Sequence, residues 1–356
     1  MTKLIAYKAF NKDWTCRDFR YVVGKSYKHE GDIELCERGF HACENPLDVL
    51  NYYDLTESKF AIVEVNRVKK QKGEESKIVS ADIYIKAEIA LPEFIKNSVN
   101  YLIDITKGKA SSGDSAKQAS SGYGAKQASS GDYAQQASSG DSAKQASSGD
   151  SAKQASSGYG AKQASSGDSA KQASSGDYAK QASSGDYAQQ ASSGDYAKQA
   201  SSGYGAKQAS SGYGAKQASS GYGAKQASSG DYAQQASSGY GAKQASSGYG
   251  AKQASSGDSA KHICEGEKSV IASSGRNTKA KGIKGTWIAL AEYKYGECVG
   301  FATGCIGKKG LKPDTWYEAR NGKLVEPLEK EISVEDMQKI VDANEKLVKE
   351  MKDADR

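Results

Sequence analysis

Five pairs of side chains offer the most regular chemistry in this chain. They are Tyr204 and Lys207, Tyr213 and Lys216, Tyr222 and Lys225, Tyr240 and Lys243, and Tyr249 and Lys252, each a tyrosine three residues before a lysine. A cation beside an aromatic ring at a fixed interval suits a linear polyanion, because ammonium groups can meet successive phosphates while rings stack on bases. The same lysines have a plainer reading, as a solvated surface that discourages sideways association of sheets. Lys and Arg total 49 against 43 Asp and Glu, a net charge of +6, too small an excess to name a partner.

Cysteines are the next candidates. Cys16, Cys36 and Cys43, with His41 among them, are the right types for structural zinc, but they lack the paired C-x-x-C knuckles of zinc sites. Buried reduced thiols are the reading preferred here. Cys264, Cys298 and Cys305 make a second odd-numbered group, whereas disulfide frameworks show even counts within each folded unit. No G-x-S-x-G turn and no G-K-[ST] phosphate loop is present, and the chain has only three histidines, His29, His41 and His262. No cofactor is expected.

The Tyr and Lys pairs are carried by seventeen consecutive nine-residue units over residues 111–263, each a variant of S-S-G-D-S-A-K-Q-A. A period of nine is too short for a domain, so the units must stack on one another as a solenoid. The glycine after each Ser-Ser is expected to supply a turn with φ > 0. The five residues between turns, such as 133–137, are expected to form a strand. Two units then make one 18-residue coil. Alternation puts positions six and eight on one face. His262, Ile271 and Ala280 occupy the eighth position in successive units, so that slot is read as inward, with Gln118, Gln127, Gln136 and their counterparts forming amide ladders. Positions five and seven, the latter Lys or, at Gln135, Gln189 and Gln234, Gln, are read as outward. A disordered low-complexity segment is the alternative, since residues 111–262 contain no Val, Leu, Ile, Phe, Met or Trp. Strict phase argues against it. A calcium-binding nonapeptide roll needs G-G-x-G-x-D, which these units lack.

The expected architecture is mainly β: an N-terminal α/β (α+β) domain over 1–108, the array over 109–281, a C-terminal β-hairpin cap over 282–330, and a helix over 331–356. Asn45 as N-cap, Pro46 at the first position and Asp48 in the first turn predict a helix over 46–54. FRYVVGKSY, FAIVEVN and KIVSADIYIKAEI read as strands. A Pro92-initiated helix to about residue 106 is expected to cap the first coil. CEGEKSVIA, SSGRNTKAK and GIKGTWIAL are read as keeping the nine-residue phase, and Asn321-Gly322 predicts a hairpin. Met337, Ile340, Asn344, Leu347 and Met351 form a short heptad seam, from which homo-oligomerisation through 333–351 is one expectation. No stretch approaches the apolar length of a membrane span, and a soluble, cytoplasmic product is expected.

At YKAF, VVGKSY, ERGFHACENPLDVLNYY and IVEV, residues 3–106 resemble an uncharacterised domain of bacterial and bacteriophage proteins that often precedes short glycine-containing repeats. That resemblance implies a phage or prophage origin and supplies no activity. The same segment is loosely similar to ADP-ribosyltransferase-like folds, which would imply roles around a nucleotide for His41, Tyr52 and Glu88, although Tyr7-Lys8-Ala9-Phe10 stands where that family places its first His or Arg. The reading carried forward is a non-enzymatic scaffold or spacer presenting a Lys/Tyr/Ser surface to a protein or polyanion. Its alternative is a nucleotide-acting N-terminal domain with the solenoid as appendage.

Overall fold

The computed structural model describes residues 3–34, 37–70, 76–106 and 113–327. The heptad seam and the expected C-terminal helix lie outside them. The array is a β-solenoid. Strands recur every nine residues and alternate between two parallel sheets, one of ten strands running from Lys117–Ser120 to Lys279–Gly282 and one of eleven that begins at Lys126–Ser129. Each strand pairs in register with the one 18 residues away, as in Gln136 opposite Gln154. Counting 111–119 as unit one, odd-numbered units build the ten-stranded sheet and even-numbered units the other.

The inward face is as the degenerate units imply. Position-six alanines and position-eight glutamines are buried, as are His262, Ile271 and Ala280. From Gln136 onward each interior glutamine donates from Nε2 twice. Gln154 bonds Gln136 Oε1 at 2.9 Å along its own sheet and the Ala164 carbonyl at 3.0 Å on the opposite one. The amide ladder therefore also ties the two sheets together, which a buried primary amide needs if its donors are not to be orphaned.

Two turn expectations are corrected. The strand spans positions seven to nine and the next Ser, as in Gln135–Ser138, so the first Ser of each unit is also inward. The positive φ sits at position five, for example Ser151 (54°), Tyr187 (55°) and Gly205 (63°), while among the repeat units only Gly113 has positive φ at position three. Position three needs Gly for another reason. A Cβ on Gly194 would lie 2.1 Å from the Gly176 carbonyl oxygen one coil away, so only a bare Cα allows the coils to approach. The array's end also departs from strict phase. Val270 pairs with Trp287 and Ile271 with Ile288, 17 residues apart, because the last turn is one residue shorter. The antiparallel strand Glu297–Cys305 then covers that sheet's edge. Asn321 (51°) and Gly322 (71°) form the hairpin turn, both with the positive φ such a turn requires.

The N-terminal part is a small antiparallel sheet in the order Ser26–Lys28, Lys77–Ile89, Phe40–Cys43, Leu4–Asn11, Ser58–Lys70, and Ser58–Lys70 returns to pair with Lys77–Ile89. Phe10, Val63, Val65, Ile78, Ile83 and Ile85 fill its interior. FRYVVGKSY is not one strand; it yields only Phe19–Arg20 and Ser26–Lys28 around a turn at Gly24. The Asn45-capped segment is a short 3₁₀ helix, Pro46–Asn51, in which Asn45 Oδ1 accepts from the Leu47 amide at 3.1 Å. Its buried Asp48 carboxylate accepts from Asn45 Nδ2, the Ser76 amide and Gln135 Nε2.

The α-helix Leu91–Thr106 packs on the first-coil strand Lys117–Ser120, and it also continues along the odd-unit sheet, where Phe94, Ile95, Val99 and Leu102 share one core with Ala137, Ala155, Ala173 and Ala191. Amphipathic spacing gives the helix one apolar stripe, and the small position-nine alanines offer a continuous surface to bury it on.

Candidate functional site

Docking of the N-terminal domain divides the solenoid into two chemically different faces. On the odd-unit sheet the position-seven residues are used as a clamp. Asn45 Nδ2 donates to Gln135 Oε1 (2.8 Å), and Gln135 Nε2 to Asp48 Oδ1 (2.8 Å). Lys153 bonds Asn51 Oδ1. Lys171 meets the carbonyls of Leu50 and Tyr53, and the Leu55 amide donates to Gln189 Oε1 (2.8 Å). Lys207 pairs with Asp54. Burial, reinforced by neighbouring Lys153, brings the Lys171 pKa down to about 8. Position seven therefore points out of the solenoid as read, but where the domain sits it meets protein and not water: Lys153 is 3 % exposed.

The even-unit sheet is open. Lys126, Lys144, Lys162, Lys180, Lys198 and Lys216 stand opposite one another in register, coil after coil. All six are exposed, and none of their side chains makes a hydrogen bond or ion pair with a described residue. Like charges directly opposite in a sheet are destabilising, here at a repeat of about 4.8 Å. Beside the lysines runs an exposed row of position-nine alanines from Ala128 to Ala272. The lysine row runs on into Val270 and Trp287, and Phe301 adjoins the end of the alanine row, all three 40–54 % exposed.

Tyrosines line the turn edges. On the even-unit edge Tyr159, Tyr178, Tyr196, Tyr213, Tyr232 and Tyr249 form one ladder with ring centroids 5.2–5.5 Å apart until the last pair, at 5.6 Å. Lys268 closes it, 5.1 Å from the Tyr249 ring. On the odd-unit edge Tyr187, Tyr204, Tyr222 and Tyr240 make a shorter ladder. The residue choice at positions four and five fits this stacking. Where a coil carries Asp-Tyr, the next can carry Tyr-Gly, and the Tyr187 ring lies over Gly205 where a Cβ would come within 3.0 Å. Asp at position four instead accepts the amide of the same position in the next coil, as Asp186 does from Tyr204 at 2.8 Å.

The five Tyr and Lys pairs are thus split. Tyr213, Lys216, Tyr249 and Lys252 belong to the open side; Tyr204, Lys207, Tyr222, Lys225, Tyr240 and Lys243 belong to the clamped sheet, with Lys207 taken up by Asp54 and Lys225 and Lys243 exposed beyond the docked domain. The candidate pairs read from the sequence all come from the units after residue 200 and do not single out the row from Lys126 to Lys198. Unit parity is the signal that separates the two rows.

In the N-terminal domain, His41 and Tyr52 line one cavity together with Cys16 and Cys43, whereas Glu88 lies elsewhere, in an ion pair with Lys59 at 3.2 Å. His41 pairs with Val79 on the strand that carries Glu88, nine residues along. That is about 30 Å of extended chain. Burial first, and then Lys77, Lys8 and Arg17, lower the His41 pKa to about 4. Cys36 lies outside the described residues, and among those described no cluster of three or more metal-ligating side chains occurs. Cys16, Cys43, Cys264, Cys298 and Cys305 are free thiols. No described helix is long and apolar enough to cross a membrane.

Residues 4–97 match a family described as a domain of unknown function, DUF7666. No curated protein and no solved structure matches the chain.

Proposed function

We propose that this chain is a non-enzymatic scaffold of bacterial or bacteriophage origin, acting in the cytoplasm, whose N-terminal domain stiffens one side of a β-solenoid while the other side holds a linear polyanion. The observation that carries this reading is the unpaired lysine row on the even-unit sheet. Within the fold these lysines only repel one another, whereas Lys153, Lys171 and Lys207 of the odd-unit row are taken up by the docked domain. The Tyr ladder along the same edge adds aromatic surface to a cationic track, the combination that single strands use.

The test is fluorescence anisotropy with labelled oligo-dT across a salt series. The proposal expects log affinity to fall with log salt at a slope near −3 to −4, about 0.7 for each of four to six neutralised phosphates. Converting Lys144, Lys162, Lys180 and Lys198 to Gln together should remove most of that slope, while Lys225→Gln with Lys243→Gln should change it little. Equal losses from both sets would reject the face assignment. Binding of heparin without oligo-dT would replace nucleic acid by an anionic polysaccharide. Binding of neither would reject the polyanion.

A further inference from the structure

Lys8 is the least expected charge in the molecule. It is 5 % exposed on the strand Leu4–Asn11, and its Nζ donates to the His41 carbonyl at 3.0 Å and to Cys16 Sγ at 3.5 Å. The rings of Phe10 and Tyr21 lie 5.5 and 5.7 Å from it. All of these partners are neutral or weakly polar, and none is a carboxylate. Burying an ammonium group without a counter-anion is costly, so such a residue persists where something else offsets its charge.

What adjoins it is a cavity of 280 Å³. Arg17 and Lys77 line it with Lys8, and no Asp or Glu is among its described lining residues. Burial first, and then repulsion from Lys77, Lys8 and Arg17, keeps the His41 ring neutral at neutral pH, so that ring adds no charge to the cavity. The walls are Tyr7, Val49, Tyr52 and Tyr53, and the Tyr53 hydroxyl is 2.9 Å from Cys16 Sγ. A concave space with mostly apolar and aromatic walls and a few converging polar groups, among them a buried ammonium, has the character of a small-ligand site.

We propose that this cavity binds a small anion through a carboxylate or phosphate group seated against Lys8, with the tyrosine rings covering its less polar part. The proposal does not depend on the polyanion reading of the solenoid and requires no chemical step. Burial lowers the pKa of Lys8, so an entering anion would also favour its charged form.

Cys16, partly exposed at this cavity, reports on the field, and exposed Cys298 serves as an internal control in the same chain. Alkylation of the full chain by iodoacetate and by iodoacetamide is followed by peptide mass spectrometry. The anionic reagent should gain on the neutral one at Cys16 relative to Cys298 by roughly tenfold, the size expected of one partly buried charge. Millimolar inorganic phosphate or acetate should slow carboxymethylation of Cys16 and leave Cys298 untouched, and the more protective of the two names the preferred group. Lys8→Met should abolish both effects; since Lys8 is buried, Lys77→Gln, on the cavity rim, should reduce them without touching the core. Equal reagent preference at Cys16 and Cys298 with no protection by either anion would overturn the proposal.

Discussion

The two sheets of the solenoid are written in the same nine residues, yet one is an internal interface and the other a surface. The odd-unit sheet gives its alanines to the helix Leu91–Thr106 and its position-seven side chains to residues 45–55. The even-unit sheet keeps the same rows in the open. A repeat thus specifies a fold and two equivalent faces, and a single docked domain makes the faces different. What distinguishes them is unit number, odd or even, and not unit sequence.

The widest gap between the faces should appear on placing a charge in the alanine row. Ala155 is fully buried against the N-terminal domain and Ala146 is exposed. Ala155→Glu should cost about 3–5 kcal/mol, because an unpaired carboxylate would be trapped in an apolar contact, whereas Ala146→Glu should be close to neutral. Denaturant melts of the two variants check this, and equal losses would mean that the domain does not sit where described.

The inner rows end differently on the two sheets, which makes one end sensitive to pH. The odd glutamine row gives way to buried His262 and then Ala280, the even row to Ile271 and then Ile288. Burial lowers the His262 pKa to about 4, below its ordinary 6.5. The unfolded chain therefore takes up a proton at higher pH than the folded chain does, and stability is lost as pH falls from about 6.5 to 4. The loss is of order 3 kcal/mol at that site. His262→Gln should remove this part of the acid sensitivity and extend the ladder, since a Gln there can donate to Gln244 Oε1, which lacks a partner among the described residues. Unfolding free energies of both proteins at pH 7 and pH 5 measure it; unchanged acid sensitivity would count against a buried neutral imidazole.

Deleting one coil tests the register of the clamp. Removing residues 147–164 brings Lys207 to the place of Gln189, which accepts the Leu55 amide, and a lysine offers no acceptor. That deletion should cost about 1–3 kcal/mol beyond the loss of one coil. Removing 210–227, beyond the clamp, should only shorten the rod by about 4.8 Å. Calorimetry and small-angle scattering of the pair decide. The smallest effect belongs to the open lysine row: Lys144→Gln relieves like-charge opposition and should stabilise by about 0.2–0.5 kcal/mol at low salt, whereas Lys153→Gln loses its bond to Asn51 and should destabilise.

Much of the array was legible because its last units vary. Ile271 and His262 in the glutamine slot reveal the inward face, and strand length together with a nine-residue period leaves the 18-residue coil. The turn was misread because glycine has two uses. At position five it relieves a positive φ, at position three it permits coil-to-coil approach, and the second depends on a neighbour 18 residues away. Gln135 and Gln189 were visible as exceptions to Lys, but their meaning is a contact with residues 45–55, about 90 and 134 positions distant, which no local pattern carries. His41 and Tyr52 do share a cavity, while its dominant charge, Lys8, lay unnoticed in a strand that reads as ordinary alternation.

The central claim is that identical units alternate between covered and open along the clamp. Single cysteines at Ala146, Ala164 and Ala182 on one sheet, and at Ala155, Ala173 and Ala191 on the other, read this directly through maleimide labelling rates under native conditions. The first three should react as fast as exposed Cys298. The second three should be protected at least tenfold and become reactive only on unfolding. Similar rates at all six positions would contradict the division of the solenoid into a clamped and an open face.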